Sequence, residues 1–77
     1  TILIAKLPKG QTIPEHVHEE SDDILYPLEG KGKIVIEGAG EFPLTSGVLV
    51  RVPKNTKHHV FAEEDLLILD IFAPPML

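Results

Sequence analysis

Seventy-seven residues, 43% of them apolar, make one small folded domain, residues 1–77, and not a disordered chain. A net charge of −5, with only seven scattered Lys and Arg, argues against nucleic acid and anionic membranes as partners. The absence of cysteine excludes disulfides and thiolate metal sites, and no run of eighteen apolar residues exists to cross a membrane.

No signal peptide is visible, and a cytoplasmic location is expected. Seven prolines and six glycines leave few windows clean enough for a three-turn helix. Between them lie short, β-branched runs. The first is Ile2 to Leu7, closed by Pro8-Lys9-Gly10. Thr12 to His18 follows, with Pro14 marking an edge or bulge position. Ile24 to Leu28 ends at Gly30-Lys31-Gly32. Lys33 to Glu37 turns through Gly38-Ala39-Gly40 into Glu41 to Leu44. Val48 to Val52 comes next, then a turn at Pro53 to Thr56, then Lys57 to Ala62. The last run is Leu66 to Phe72. About eight short strands at this spacing predict an all-β fold, an antiparallel barrel or jelly roll. The repeated turn-then-strand pattern suggests meander connections.

One stretch stands apart. His16 and His18 are two residues apart, so in a strand both imidazoles leave on one side. After a four-residue turn, Asp23 opens the next strand and can bring a carboxylate back to the same point. His58 answers them from forty residues away. Imidazole and carboxylate together suit one divalent first-row ion: manganese, iron, nickel, copper or zinc. His59 points to the opposite face from His58 in a regular strand and is expected at the surface. Glu15, Glu19, Glu20 and Asp22 read as a solvated acidic loop. Tyr26 shares parity with Ile24 and Leu28, away from Asp23, and reads as packing. Arg51 is a possible carboxylate binder, though an arginine in a strand is more often solvated.

These residues carry a resemblance to the small single-domain cupins. Gly10, five residues, His16-Val17-His18, four residues, Asp23, six residues and Gly30 match the family's first motif. Gly47, five residues, Pro53 and then His58 match the second. Asp23 stands where the family usually has glutamate. Asn55 replaces a glycine, a mild change because Asn tolerates the left-handed conformation. Ala62 replaces the final asparagine. The resemblance implies a barrel with His16, His18 and His58 as metal ligands and Asp23 as the fourth. It also implies a metal-dependent enzyme on a small molecule: a dioxygenase, or a sugar or uronate isomerase, epimerase or lyase. The other reading is a non-catalytic metal or small-ligand binding or sensor module. No catalytic residue is identified; Ser21 and Ser46 lie in turns without a partner histidine.

The last run does not alternate. Leu66, Ile68 and Phe72 fall on one face, Leu67, Leu69 and Ile71 on the other. One set fills a core and the other needs cover. A second copy supplies it most simply, so a homodimer is expected.

Overall fold

A computed structural model describes residues 1–74; the domain's expected end at residue 77 lies outside them. Eight strands form: β1 (Ile2–Leu7), β2 (Thr12–His16), β3 (Asp22–Glu29), β4 (Lys31–Ile36), β5 (Gly40–Thr45), β6 (Val50–Val52), β7 (His58–Ala62) and β8 (Leu66–Ala73). They make two four-stranded antiparallel sheets, ordered β1-β8-β3-β6 and β2-β7-β4-β5. This is the expected all-β jelly roll.

The connections are not a meander. Among the described residues only β4 and β5 form a hairpin of sequence neighbours; elsewhere the chain crosses between sheets or pairs with a distant strand. The Pro/Gly turns are as short as a hairpin would need, but they carry the chain across the sandwich. Gly10 illustrates this. With φ +85 it redirects the chain after β1, and its N–H donates to Ala62 O at 2.8 Å, tying the turn to β7 in the other sheet.

Alternation decides what is inside. Leu25, Val50, Val52, Leu66, Ile68 and Phe72 of the first sheet face Ile34, Ile36, Leu44, Val60 and Ala62 of the second, all buried. Each large aliphatic side chain so buried contributes about 1.5–3 kcal/mol. Two glycines permit close approach of the chain to itself. A Cβ on Gly30 (φ +90) would meet Asp65 O at 1.8 Å, and one on Gly32 would meet Phe61 O at 2.6 Å. The glycine that closes the first motif is therefore a packing requirement as well as a turn.

Several strand limits differ from the sequence reading, most by one or two residues. β2 stops at His16, because Pro14 withholds an N–H and the pairing with β7 shifts between Ile13 and His16. β6 starts at Val50, because a turn closed by Val48 N–H to Thr45 O (3.0 Å) occupies the preceding residues. β3 starts two residues earlier than the run Ile24 to Leu28, at Asp22, and ends one residue later, at Glu29. No helix among the described residues is long and apolar enough to cross a membrane.

Candidate metal centre

Four side chains converge between the sheets. His16 ends β2 directly opposite His58, the first residue of β7. His18 lies just past the strand end. Its carbonyl accepts Asn55 N–H at 2.6 Å, which holds the loop over the site. Asn55 itself takes φ +62, the left-handed conformation that the glycine-to-Asn replacement allows. The ring centroids of His16, His18 and His58 lie 4.1–5.6 Å apart. Asp23 points inward from β3, opposite Val52 on one side and Phe72 on the other. Asp23 and His58 are each 2% exposed, while His16 and His18 are half-buried, so the site opens on the β2 side.

The imidazoles are oriented by backbone carbonyls. His16 Nδ1 donates to Pro14 O at 2.8 Å, and His58 Nδ1 to Thr56 O at 2.9 Å. Each bond fixes the ring so that Nε2 faces the shared space. His18 is held by an edge contact to the Phe72 ring, centroids 4.8 Å apart. Asp23 Oδ2 lies 3.0 Å from His58 Nε2 and 3.6 Å from His18 Nε2. One ligating atom from each of His16, His18, Asp23 and His58 falls within 4.8 Å of the others. An ion about 2.1 Å from each donor needs separations up to about 4.2 Å, so a contraction of roughly half an ångström would seat it. The group fits a divalent transition metal in donor type and in spacing.

Asp70 is the residue the sequence reading passed over. It sits on β8 opposite Leu25, facing inward with Ile68 and Phe72. Asp23 Oδ1 and Asp70 Oδ1 are both buried, and neither has an N–H or hydroxyl partner. Each is left to the other carboxyl, so one proton sits between them. Burial, the hydrogen bond to Asp23 and the Asp23 charge push Asp70 up to about 8. Burial also acts to raise Asp23. Hydrogen bonds from His58 and Asp70, with the charges of His58 and His18, outweigh it and hold Asp23 below the ordinary carboxyl value. For His58, burial acts downward, but the Asp23 bond and charge and the Thr56 carbonyl outweigh it and raise the ring. Burial lowers His18, helped by His16 and His58 against Asp23. The Asp23 carboxylate, 3.0 Å from His58 Nε2, thus favours the protonated ring.

The residues around Asp23 set its position. Ser21 is buried and donates its hydroxyl to Pro74 O at 2.7 Å. Asp22 is not a solvated loop acid. Its Oδ2 accepts from Arg51 Nη2 (2.7 Å) and Nε (3.1 Å), and its Oδ1 accepts Lys54 N–H at 2.8 Å. These bonds pull Asp22 below the ordinary carboxyl value and pin the start of β3 to β6 and the following turn. Arg51 is thereby engaged within the chain. Glu15, Glu19 and Glu20 are exposed, as the sequence suggested. His59 lies on the outer face opposite Val35, and Tyr26 is partly exposed on the outer face of the other sheet.

Residues 3–72 match the profile of the cupin domain. The chain is a cupin. It is 25% identical over 63 residues to an L-ectoine synthase of Wolinella succinogenes, covering 79% of this chain and 48% of that protein. It is 35% identical over 57 residues to the quercetin 2,3-dioxygenase of Bacillus subtilis, covering 74% and 17%. The chain thus spans half or less of these curated relatives. Among solved structures, KdgF from a Halomonas species superposes with a TM-score of 0.90 at 30% identity, covering 97% of this cupin and 69% of that chain.

Proposed function

We propose that this cupin is a metal-dependent enzyme acting on a small molecule, with His16, His18, His58 and Asp23 holding one divalent ion. The observation that supports it most is the donor set: two Nε2 atoms turned inward by carbonyl bonds and a buried carboxylate within 3.6 Å of two rings. Three neutral imidazoles and one carboxylate leave an ion of this class a net positive charge and open positions, where it would polarise a chelating substrate or dioxygen. The chain's own part is to bind and orient. His58 and Asp23 form the dry floor, and Asp70 fixes the Asp23 carboxyl from below. His16 and His18 line the side through which a ligand enters. The reaction classes in view are dioxygenation, as the name of the Bacillus relative states for that protein, and sugar or uronate isomerisation, epimerisation or lysis.

The test is the metal content of protein purified without affinity-tag histidines, followed by reconstitution and assay with each metal. Iron or copper with oxygen uptake would favour oxygen chemistry; zinc or nickel would favour the isomerase and lyase classes. A chain that takes up no divalent ion refutes the proposal. One that binds a metal stoichiometrically and turns over none of these substrate classes is the binding module instead.

A further inference from the structure

Three of the candidate ligands stand at strand ends. His18 lies past β2, Asp23 is the second residue of β3 and His58 is the first of β7. Strand ends open more readily than strand centres, yet a metal centre needs its donors held to within about half an ångström. The ladder places the His58 backbone opposite His16 and Ile36. It does not aim the ring, and it does not reach His18.

The turn between β6 and β7 supplies both constraints. Its successive residues each carry one bond. The Lys54 carbonyl accepts the Thr56 hydroxyl at 3.4 Å, which tightens the turn. Asn55 N–H donates to His18 O at 2.6 Å and so holds the loop that carries His18. Thr56 O accepts His58 Nδ1 at 2.9 Å and so aims the ring. Two ligands far apart in sequence are thereby set by one short turn. Pro53, Lys54 and Asn55 are exposed, so burial contributes little to keeping the turn in place.

Asp22 keeps it in place. Asp22 and Asp23 are neighbours on β3, so their side chains leave the strand on opposite faces. Asp23 points in to the rings and Asp22 points out, back to back with it. Arg51, on β6, lies opposite Ile24 on that outer face and reaches Asp22 diagonally. Its Nη2 and Nε donate to Asp22 Oδ2 at 2.7 and 3.1 Å. With Oδ2 so occupied, Oδ1 faces the turn and accepts Lys54 N–H at 2.8 Å. The Arg51 side chain is 62% exposed and that of Asp22 25%. An ion pair this open to water is weak by itself. Its use is to aim Oδ1 at the turn.

We propose that Asp22 is a positioning residue for the metal centre: its Oδ1 anchors the turn that holds His18 and aims His58, from the strand whose other face carries Asp23. Three ligands on three separate segments are then tied to a single carboxylate that touches none of them. His16 stands apart, held by Pro14 O. The effect of Asp22 on a bound ion rests on the metal reading above, whereas its hold on the turn does not. The anchor is the acceptor oxygen and not the charge. Asn at this position keeps an oxygen for Lys54 N–H and gives up the Arg51 pair. Val suits a strand and keeps neither.

The test compares the parent with Asp22→Val, Asp22→Asn and Arg51→Ala, each confirmed as folded by circular dichroism. Titration with Co²⁺ gives the affinity, and the visible bands of the loaded protein report the arrangement of the donors. Asp22→Val should bind Co²⁺ at least about tenfold more weakly, the range found when groups that orient metal ligands are removed, and with altered bands. Asp22→Asn and Arg51→Ala should stay within about threefold of the parent and keep its bands. Hydrogen exchange of metal-free protein reads the anchor without an ion. In Asp22→Val the Asn55 amide should exchange at least about tenfold faster, while the amides of β4, inside the other sheet, keep the parent's rates. A parent that binds no divalent ion refutes the metal reading, and the exchange rates then decide the anchor alone. Parent-like Co²⁺ binding in Asp22→Val, an Asn55 amide that does not change, or a loss shared equally by Asp22→Asn and Arg51→Ala would each overturn the proposal.

Discussion

Replacing Asp70 with Asn should stabilise the metal-free protein at neutral pH and above, and not at pH 4. Asn keeps the shape and offers an N–H to Asp23 Oδ1, but it never ionises. In the folded chain Asp70 keeps its proton up to about pH 8, whereas the unfolded side chain releases it near 3.8. Between those values the folded state binds the extra proton, so stability falls as pH rises through this window and levels off above about 8. The window spans about four pH units at 1.36 kcal/mol each, a ceiling of about 6 kcal/mol. Asp70 is only half-buried, so solvent screening reduces this to about 2–3 kcal/mol. For a domain of this size that equals a shift of about 10–20 °C in Tm, or about 2 M in urea midpoint. The assay is urea denaturation of chelator-treated protein at one fixed concentration, followed by circular dichroism at pH 4 and pH 7.5. The variant should match the parent at pH 4 and exceed it at 7.5. An equal gap at both pH values, or a less stable variant at 7.5, would refute the shared-proton account of the Asp23–Asp70 pair.

Other outcomes follow from the same geometry. His58→Ala should lose nearly all bound metal by elemental analysis and Asp23→Ala less, while His59→Ala, on the outer face, should change little. Metal occupancy should fall as pH drops through the imidazole range near about 6.5, because the His58 proton, favoured by Asp23, competes for Nε2; occupancy unchanged at pH 4 would exclude histidine ligation. Adding a bound metal at a hundredfold excess over its Kd should stabilise the chain by about 2.7 kcal/mol in thermal melts, and a chelator should reverse it. Gly30→Ala should destabilise by about 3 kcal/mol or more, since its Cβ would strike Asp65 O, whereas Gly38→Ala, with open space around it, should cost about 1 kcal/mol of backbone strain.

The elements were legible because proline and glycine cut the chain into runs of β-branched residues, and such runs have little alternative to the strand. Sheet order was not legible. Pairing partners such as Asp23 and Phe72 lie far apart in sequence, and equal short turns fit a meander as well as a jelly roll. Strand ends failed where one backbone group decided them, as at Pro14. The face of His58 was readable, since one-residue alternation sends His58 inward and His59 outward.

Asp70 was missed for a specific reason. The last run is so apolar that it reads as covered on both faces, and one acid within it looks like noise. Parity tells otherwise. Asp70 is in phase with Leu66, Ile68 and Phe72, whose side chains fill the core, so its carboxyl must be inside. Asp23 interrupts β3 in the same way, in phase with buried Leu25 and Pro27. β3 and β8 are neighbours, with Asp23 opposite Phe72 and Asp70 opposite Leu25, so the two interruptions lie diagonally across one strand pair. A lone buried acid is costly, and two that share a proton beside an imidazole are less so. An inward acid in each of two paired strands therefore marks one polar site, and it places Asp70 beside Asp23 and His58 on physical grounds that the histidine motifs do not contain.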